Sequence, residues 1–434
     1  MFTDIADLMR RFAELGAESA FCKPLAENDN SKQQIYLGGS LEILQDFRFR
    51  EVITTEAGRN STYKAKLDFL WVGKDFTERA DGAQLILYPQ YPEVRLSGFL
   101  RGCKQAPSEL LRPVPKEQRR FNNGPDGRVM FFGVTKDGAT LAYLAEAESP
   151  LAQEFRSKSL DGLFPKTNVF FRLQVKGRDT KTILLARLAE IRDHGWHSSA
   201  RMPRPGVVEP YKALSAGGTT LEALLGIPQN SSTGPDFMGW EIKAYGSGKV
   251  TLMTPQPDSG FYLDAGAEAF VRRFGAPSGN DKLYFTGTHR VGARCAKTGL
   301  TTVLCGYDAA KHRITDVAGV VALLTDTGEC AAAWSFGGLL AHWNLKHAQA
   351  AYVPYEKHPE GLSAYRYSSP ALLGEGTDFL RYLATLNAGK VIYDPGVKVE
   401  QASTAKPKVQ HRNQFRVSVR DLSMLYQTFG PAEF

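Results

Sequence analysis

Apolar positions at the start of the chain recur at helical spacing. Ile5, Leu8, Met9, Phe12 and Leu15 fall on one face, and Gly16 closes the run. The period then changes. Short apolar runs at 34–37, 66–72, 84–88, 94–100, 129–134 and 169–175 are separated by turn residues, the rhythm of a β sandwich or barrel. Residues 112–126 hold Pro113, Pro115, Pro125 and two asparagines and read as a long flap between strands.

From about residue 175 the pattern alternates. A helical run at 182–192 ends at Asp193-His194-Gly195, and 202–218, with Pro203, Pro205, Pro210 and Gly217-Gly218, reads as a connector. Helical periodicity follows at 219–225, 339–351 and 377–386. Strand-like runs occupy 239–244, 249–254, 282–286, 301–307, 320–325 and 331–336. This is the alternation of a mixed α/β or α+β layer architecture. The expected division is a β-rich domain at 1–175, a connector at 176–218 and a second domain at 219–434.

Composition narrows the class. At roughly 150 residues per domain, 434 residues suggest two or three domains. The chain is 43% hydrophobic and 23% charged, an ordinary globular balance. The apolar run 317–324 is too short to cross a bilayer. The opening Met-Phe-Thr-Asp-Ile-Ala-Asp carries acids where a signal peptide carries positive charge. Cys22, Cys103, Cys295, Cys305 and Cys330 are scattered, which argues against a disulfide scaffold or a zinc ribbon. The expectation is a soluble, reduced, cytoplasmic protein with no membrane partner.

Charge adds a direction. The net charge of +7 is uneven: +1 over 1–175 and +6 over 176–434. Most of the excess lies near the end, where Lys398, Lys406, Lys408, Arg412, Arg416 and Arg420 face Glu400 alone. A second cluster spans Arg101–Arg128. Such patches suit a polyanion, nucleic acid first, or form a solvated basic surface.

The densest chemistry is Gly234-Pro235-Asp236-Phe237-Met238-Gly239-Trp240-Glu241-Ile242-Lys243. Gly-Pro sets a turn that puts Asp236 at an element edge, and Gly239 permits a second tight bend. Along the following strand, Glu241 and Lys243 share a face because side chains repeat every two residues. Two carboxylates suit a hard cation such as Mg²⁺, and a neighbouring lysine can orient an attacking water. The spacing alone is equally that of a surface strand with a Glu–Lys pair. Two further groups carry less weight. His342 and Lys346 lie four apart on a helix whose Trp343 suits an inward face, and His194 and His197 lack the companions of a zinc site.

Taken together, Leu221-Glu222-Ala223-Leu224-Leu225-Gly226-Ile227, Asn230-Ser231, the Pro-Asp…Glu-Ile-Lys strand and Thr251-Leu252-Met253-Thr254 resemble the nuclease core of the MvaI/BcnI restriction endonucleases. These form a branch of the PD-(D/E)xK superfamily related to the nicking enzyme MutH. The likeness extends over about 180–428, through His289-Arg290, the 380–386 helix with Gly389-Lys390 and Asp394, and His411-Arg412 before Phe415-Arg416-Val417. It implies a sequence-specific, Mg²⁺-dependent endonuclease of double-stranded DNA, accompanied by a cognate DNA methyltransferase in the same system. Asp236 and Glu241 would be metal ligands, Lys243 would position the water and Glu222 would support the site. His289, Arg290, His411, Arg412 and Arg416 would reach DNA. The implied fold is an α/β (α+β) PD-(D/E)xK core with a mixed sheet.

The first 175 residues lie outside that core. Their segment Phe21–Tyr36, with Asn28, Asp29, Asn30, Ser31 and Lys32 leading into a strand, resembles the opening of the effector-binding domain of EcoRII-type endonucleases. This implies a β-rich, pseudobarrel-like domain that reads DNA through Asn28 and Lys32. Asn and Gln pair two ways with adenine, while an Asx-rich turn explains the same residues without a ligand. Two other functions remain open. One is a MutH-like repair nickase. The other is a catalytically inactive DNA-binding regulator, against which the intact Asp236, Glu241 and Lys243 set argues.

Overall fold

The computed structural model describes residues 1–30, 33–49, 51–57, 61–91, 93–120, 124–173, 175, 180–213, 216–229, 236–246, 248–361 and 363–434. The chain divides into two compact units, 1–55 with 62–183, and 184–434 with 56–61.

The first unit opens with the expected helix, Ile5–Glu14. The Asp4 carboxylate accepts the Asp7 N–H at its start, and Ile5, Leu8, Met9 and Phe12 are its buried face. Two open sheets follow. One runs Lys166–Thr167, Phe170–Leu173, Ala17–Ala26, Pro125–Thr135, Thr140–Ala145, Phe69–Val72, Thr77–Arg79; the other runs Gln34–Gly38, Glu93–Ser97, Gln84–Tyr88, Thr62–Lys66, Val52–Thr55. The pairing closes neither sheet on itself among the described residues: no closed barrel is present there, and both sheets are open.

The central strands of the larger sheet are covered on both faces. Ala20, Cys22 and Phe131 join the first helix and Pro150–Leu160 in one apolar core. Phe21 and Phe132, one residue along each strand, stack with Phe47 and Phe170 on the other face. A strand buried on both faces shows no polar alternation, which is why Ala17–Ala26 is hard to read from sequence. Among its described residues the expected flap contains a short 3₁₀ turn, Lys116–Gln118, before the strand that starts at Pro125. Within it Arg128 is no surface charge: it is held by Asp126 and by the Leu110 and Ala26 carbonyls.

The second unit is mixed α+β. Its main sheet runs His197–Ser198, Ala364–Tyr367, Gln349–Lys357, Ala371–Glu375, Thr428–Ala432, and Glu241–Tyr245 pairs with Gln349–Lys357 in parallel while the other pairs are antiparallel. Trp240, Ile242, Ala351 and Val353 pack on one side against Leu184, Leu188 and Ile191 of the helix Thr180–Asp193 and Leu221 of the helix Ala216–Leu224. A second layer joins Lys249–Met253, Phe415–Ser418 and Val391–Tyr393.

Three expectations shift here. Residues 202–218 are more than a connector: they carry most of the hairpin Ala200–Arg204/Val207–Pro210 and the first turn of the helix Ala216–Leu224. The helix expected at 339–351 is Phe336–Lys346, and 349–351 begin the central strand instead. The alanines at 350 and 351 lean towards helix locally, but pairing on two sides overrides propensity. The helix Phe261–Phe274 was unforeseen, because Gly266 at φ +84° interrupts its periodicity. Among the described residues no helix is long and apolar enough to cross a membrane.

Candidate active site

The site begins with a turn. Phe237 and Trp240 exchange backbone hydrogen bonds of 2.9 and 2.8 Å across Met238 and Gly239, which both have positive φ, +48° and +92°. That pair of angles defines the tight reversal that feeds a twisted strand, and it favours glycine at its second position. Asp236 precedes the reversal, and the Ile242 N–H donates to its Oδ2 at 2.9 Å. The bond ties the loop carboxylate to the second residue of the strand Glu241–Tyr245.

Strand alternation does the rest. Trp240 and Ile242 face the apolar core, so Glu241 and Lys243 face the opposite side. Parallel register sets Glu241 beside Ala350 and Lys243 beside Tyr352. Lys243 Nζ donates to Glu241 Oε1 at 2.9 Å; the two side chains are 16% and 2% exposed. Burial alone would lower the Lys243 ammonium, but Glu241, Asp236 and Glu222 outweigh it and lift it above the usual lysine value. The structure therefore gathers all four predicted core residues in one electrostatic cluster, with Glu222 arriving from the helix Ala216–Leu224.

Two residues that sequence reasoning missed lie behind this cluster. The buried Tyr352 and Tyr426 hydroxyls are 2.7 Å apart. Burial raises both phenols above the ordinary tyrosine value, and the Glu241 carboxylate adds to the effect. They stay neutral, within electrostatic reach of Glu241. Only the strand register reveals them, since Tyr352 lies 109 residues beyond Lys243 in a run that reads as core.

The donor set suits a small hard cation. Among the described residues no group of three or more His, Cys, Asp or Glu side chains forms a metal cage. Mg²⁺ does not need one, because it binds through one or two carboxylates and keeps its remaining positions for water and phosphate. Asp236 and Glu241 are such a pair, and Lys243 offsets their mutual repulsion.

The predicted DNA-contact residues separate into two groups. His289 is 1% exposed, with its ring stacked on Phe285 and Nε2 2.9 Å from Thr298 Oγ1. Its backbone bridges Tyr393, and burial pushes its imidazole down to about 4, so it is a neutral packing residue and not a surface contact. Arg290, His411 and Arg412 are exposed, and His411 Nδ1 lies 3.0 Å from the Tyr262 hydroxyl. Arg416 is half-buried against Asp394 at 3.0 Å and, with Tyr245, Lys249 and Arg420, lines a cleft of about 920 Å³. Of the terminal basic residues, Lys398 is engaged by Glu400, whereas Lys406 and Lys408 are exposed on and beside the edge strand Lys408–Gln410.

In the first unit Asn28 is half-buried at a polar cavity, while Lys32 lies outside the described residues, as do Asn230, Ser231, Gly234 and Pro235. Trp343 is buried and stacked on His347, while His342, the residue before it, is exposed.

The sequence profile of the MvaI/BcnI restriction endonuclease family matches residues 185–426. Among solved structures, the MvaI endonuclease in complex with its cognate DNA substrate is 19% identical, with 59% of this chain and 99% of that chain covered and a TM-score of 0.46. MvaI in the absence of DNA is 18% identical over 59% of this chain and 98% of that one, with a TM-score of 0.33. No curated protein sequence matches. The matched span holds Glu222, Asp236, Glu241 and Lys243 and more than half of the chain: this protein belongs to the MvaI/BcnI restriction endonuclease family, and is a site-specific deoxyribonuclease of restriction type.

Proposed function

We propose that the second unit hydrolyses phosphodiester bonds of double-stranded DNA with Mg²⁺ as cofactor, with Asp236 and Glu241 holding the metal, Lys243 orienting the attacking water and Glu222 supporting the lysine. The observation that carries this reading is the convergence of three carboxylates on one buried ammonium at a strand edge. A bound Mg²⁺ would supply Lewis-acid stabilisation of the charge that develops on the scissile phosphate. The chain's own residues set the geometry. Lys243 Nζ spends one N–H on Glu241 Oε1, which leaves two to hold a water oxygen in line with the phosphorus. Asp236, fixed by the Ile242 N–H, keeps its carboxylate at the turn whatever occupies the site.

Arg290, His411, Arg412 and Arg416 reach the duplex, and the cleft lined by Lys249, Arg416 and Arg420 follows the phosphate backbone. The first unit serves as a DNA-recognition or effector domain of the EcoRII-like kind. A cognate methyltransferase would protect the host's own sites, and the cytoplasm is where such an enzyme meets incoming DNA.

The decisive experiment pairs two assays on Asp236→Ala and Lys243→Ala. Cleavage of supercoiled plasmid should vanish in both, while duplex binding persists within a few fold. Full cutting by the intact protein in excess chelator would remove the metal from the mechanism. Accumulation of nicked circles without linear product would point to single-strand cutting.

A further inference from the structure

The first unit contains a cavity of about 570 Å³ that the nuclease chemistry does not use. Its size falls within the roughly 300–1,000 Å³ typical of small-molecule sites. It is built on a rigid base. The Asp29 carboxylate accepts the Ala26 N–H at 3.0 Å, the Tyr36 N–H at 3.2 Å and the Lys23 ammonium at 2.6 Å. Lys23 and Asp29 are 7% and 5% exposed, so this ion pair is sealed and its charges are spent internally. The second pair in the wall, Glu93 with Arg95, is likewise satisfied, and the Arg95 guanidinium also donates to Gln34 Oε1 at 3.0 Å and lies over the Tyr88 ring.

What is left open is neutral, and it offers both donors and acceptors. Among the described residues the Asn28 carboxamide has no side-chain hydrogen bond. Gln34 keeps its NH₂ free while its oxygen serves Arg95, and Asn168 keeps its oxygen free while its NH₂ serves Glu42. Two flat rings, Tyr36 and Phe171, complete the lining, and Lys166 Nζ sits 5.3 Å over Phe171. A phosphate or a metal ion would meet no unspent charge inside this lining beyond Lys166. A planar, uncharged group with a mixed donor and acceptor edge fits it, and a nucleobase has that chemistry. Enzymes that read a base outside the duplex use such a pocket, hydrogen bonds to the base edge and aromatic stacking on its face.

We infer that this cavity receives a single nucleobase turned out of a bound DNA strand, with Asn28, Gln34 and Asn168 reading its edge, Tyr36 stacking on its face and Lys166 meeting the adjoining phosphate. The inference rests on the DNA-reading role proposed for the first unit. The same base chemistry is carried by a free nucleotide, so the test separates the two sources.

The full chain, in chelator to prevent cleavage, is mixed with a random-sequence pool of duplexes that carry 5-iodouracil, irradiated, and mapped for cross-linked peptides by mass spectrometry. Duplex affinity is measured in parallel. Adducts should fall on the segments that contain Tyr36 and Phe171. They should drop at least tenfold in Asn28→Ala/Tyr36→Ala, two partly exposed positions whose loss spares the Asp29 hub. Adducts in the first unit that avoid this cavity overturn the pocket and leave the DNA-reading role standing. Adducts confined to the second unit overturn both. Labelling of the same segments by free 5-iodo-dUMP but not by duplex overturns base eversion and makes the cavity a site for free nucleotides.

Discussion

Replacing Lys243 with Met removes the cation but keeps most of the volume, and it isolates what the buried ion pair contributes. In the folded protein Glu241 is 2% exposed, and its nearest neutralising partner is the Lys243 ammonium at 2.9 Å. Without it, the Glu241 carboxylate stays buried with no ammonium at 2.9 Å, in a cluster where Asp236 and Glu222 act on the same lysine. Breaking a buried pair by removing one partner costs about 3–5 kcal/mol, because the remaining charge is uncompensated. For a unit of this size the melting point should fall by on the order of 10 °C. The assay is a thermal melt of the full chain at pH 7.5, in chelator and again in Mg²⁺. In chelator the variant should melt well below the wild type. Added Mg²⁺ should raise the variant's melting point more than the wild type's, because the metal replaces the missing positive charge beside two carboxylates. Cleavage should be absent in both conditions. The wild-type pair has its own pH signature. The folded Lys243 value lies above the unfolded 10.5, so the stabilisation is complete below about pH 10.5 and disappears as pH rises through the folded value. If Lys243→Met melts with the wild type in chelator, or Mg²⁺ shifts the two equally, the clustered-carboxylate account of the site is wrong.

Three other outcomes follow from the same geometry. His289 is neutral in the fold, with its value pushed down to about 4 from 6.5, so the unfolded chain takes up a proton that the folded one refuses. Stability should fall by about 3 kcal/mol as pH drops from 6.5 to 4, and urea melts of His289→Gln should show a flatter dependence over that window. Gly239→Ala meets no crowding, the nearest neighbour being Gln349 Oε1 at 3.9 Å, but at φ +92° it strains the turn. It should cost about 1–2 kcal/mol and reduce cleavage more than binding by displacing Asp236 from Glu241; an unchanged cleavage rate would dissociate the turn from catalysis. Replacing the exposed Lys406 and Lys408 with Ala should weaken duplex binding at every sequence and flatten the salt dependence by about one unit of slope per lost phosphate contact. An unchanged slope would leave that strand edge as solvated surface.

The sequence by itself determined the candidate site and its immediate neighbourhood. Asp236, Gly239, Glu241 and Lys243 lie within eight residues, where a tight turn and a two-residue side-chain repeat are enough to put Glu241 and Lys243 on one face. The Ile5–Glu14 helix was legible for the same reason, because its periodicity and cap are local. Only the tertiary structure decided how distant segments meet. Tyr352 lies beside Lys243 because Gln349–Lys357 adopts one register in parallel with the strand Glu241–Tyr245, and its opening alanines pointed locally to helix. His289 looked like a surface contact beside Arg290, yet the Tyr393 bridge and Phe285 draw its ring into the core. Strand spacing in the first unit fits a sandwich or a barrel alike, because it says how many strands there are but not whether the edges join; here the pairing yields two open sheets. Local dihedral and periodicity rules act over a few residues. Register, burial and edge closure are set by contacts across a hundred or more, where many pairings of similar apolar runs compete and only packing of the whole selects one.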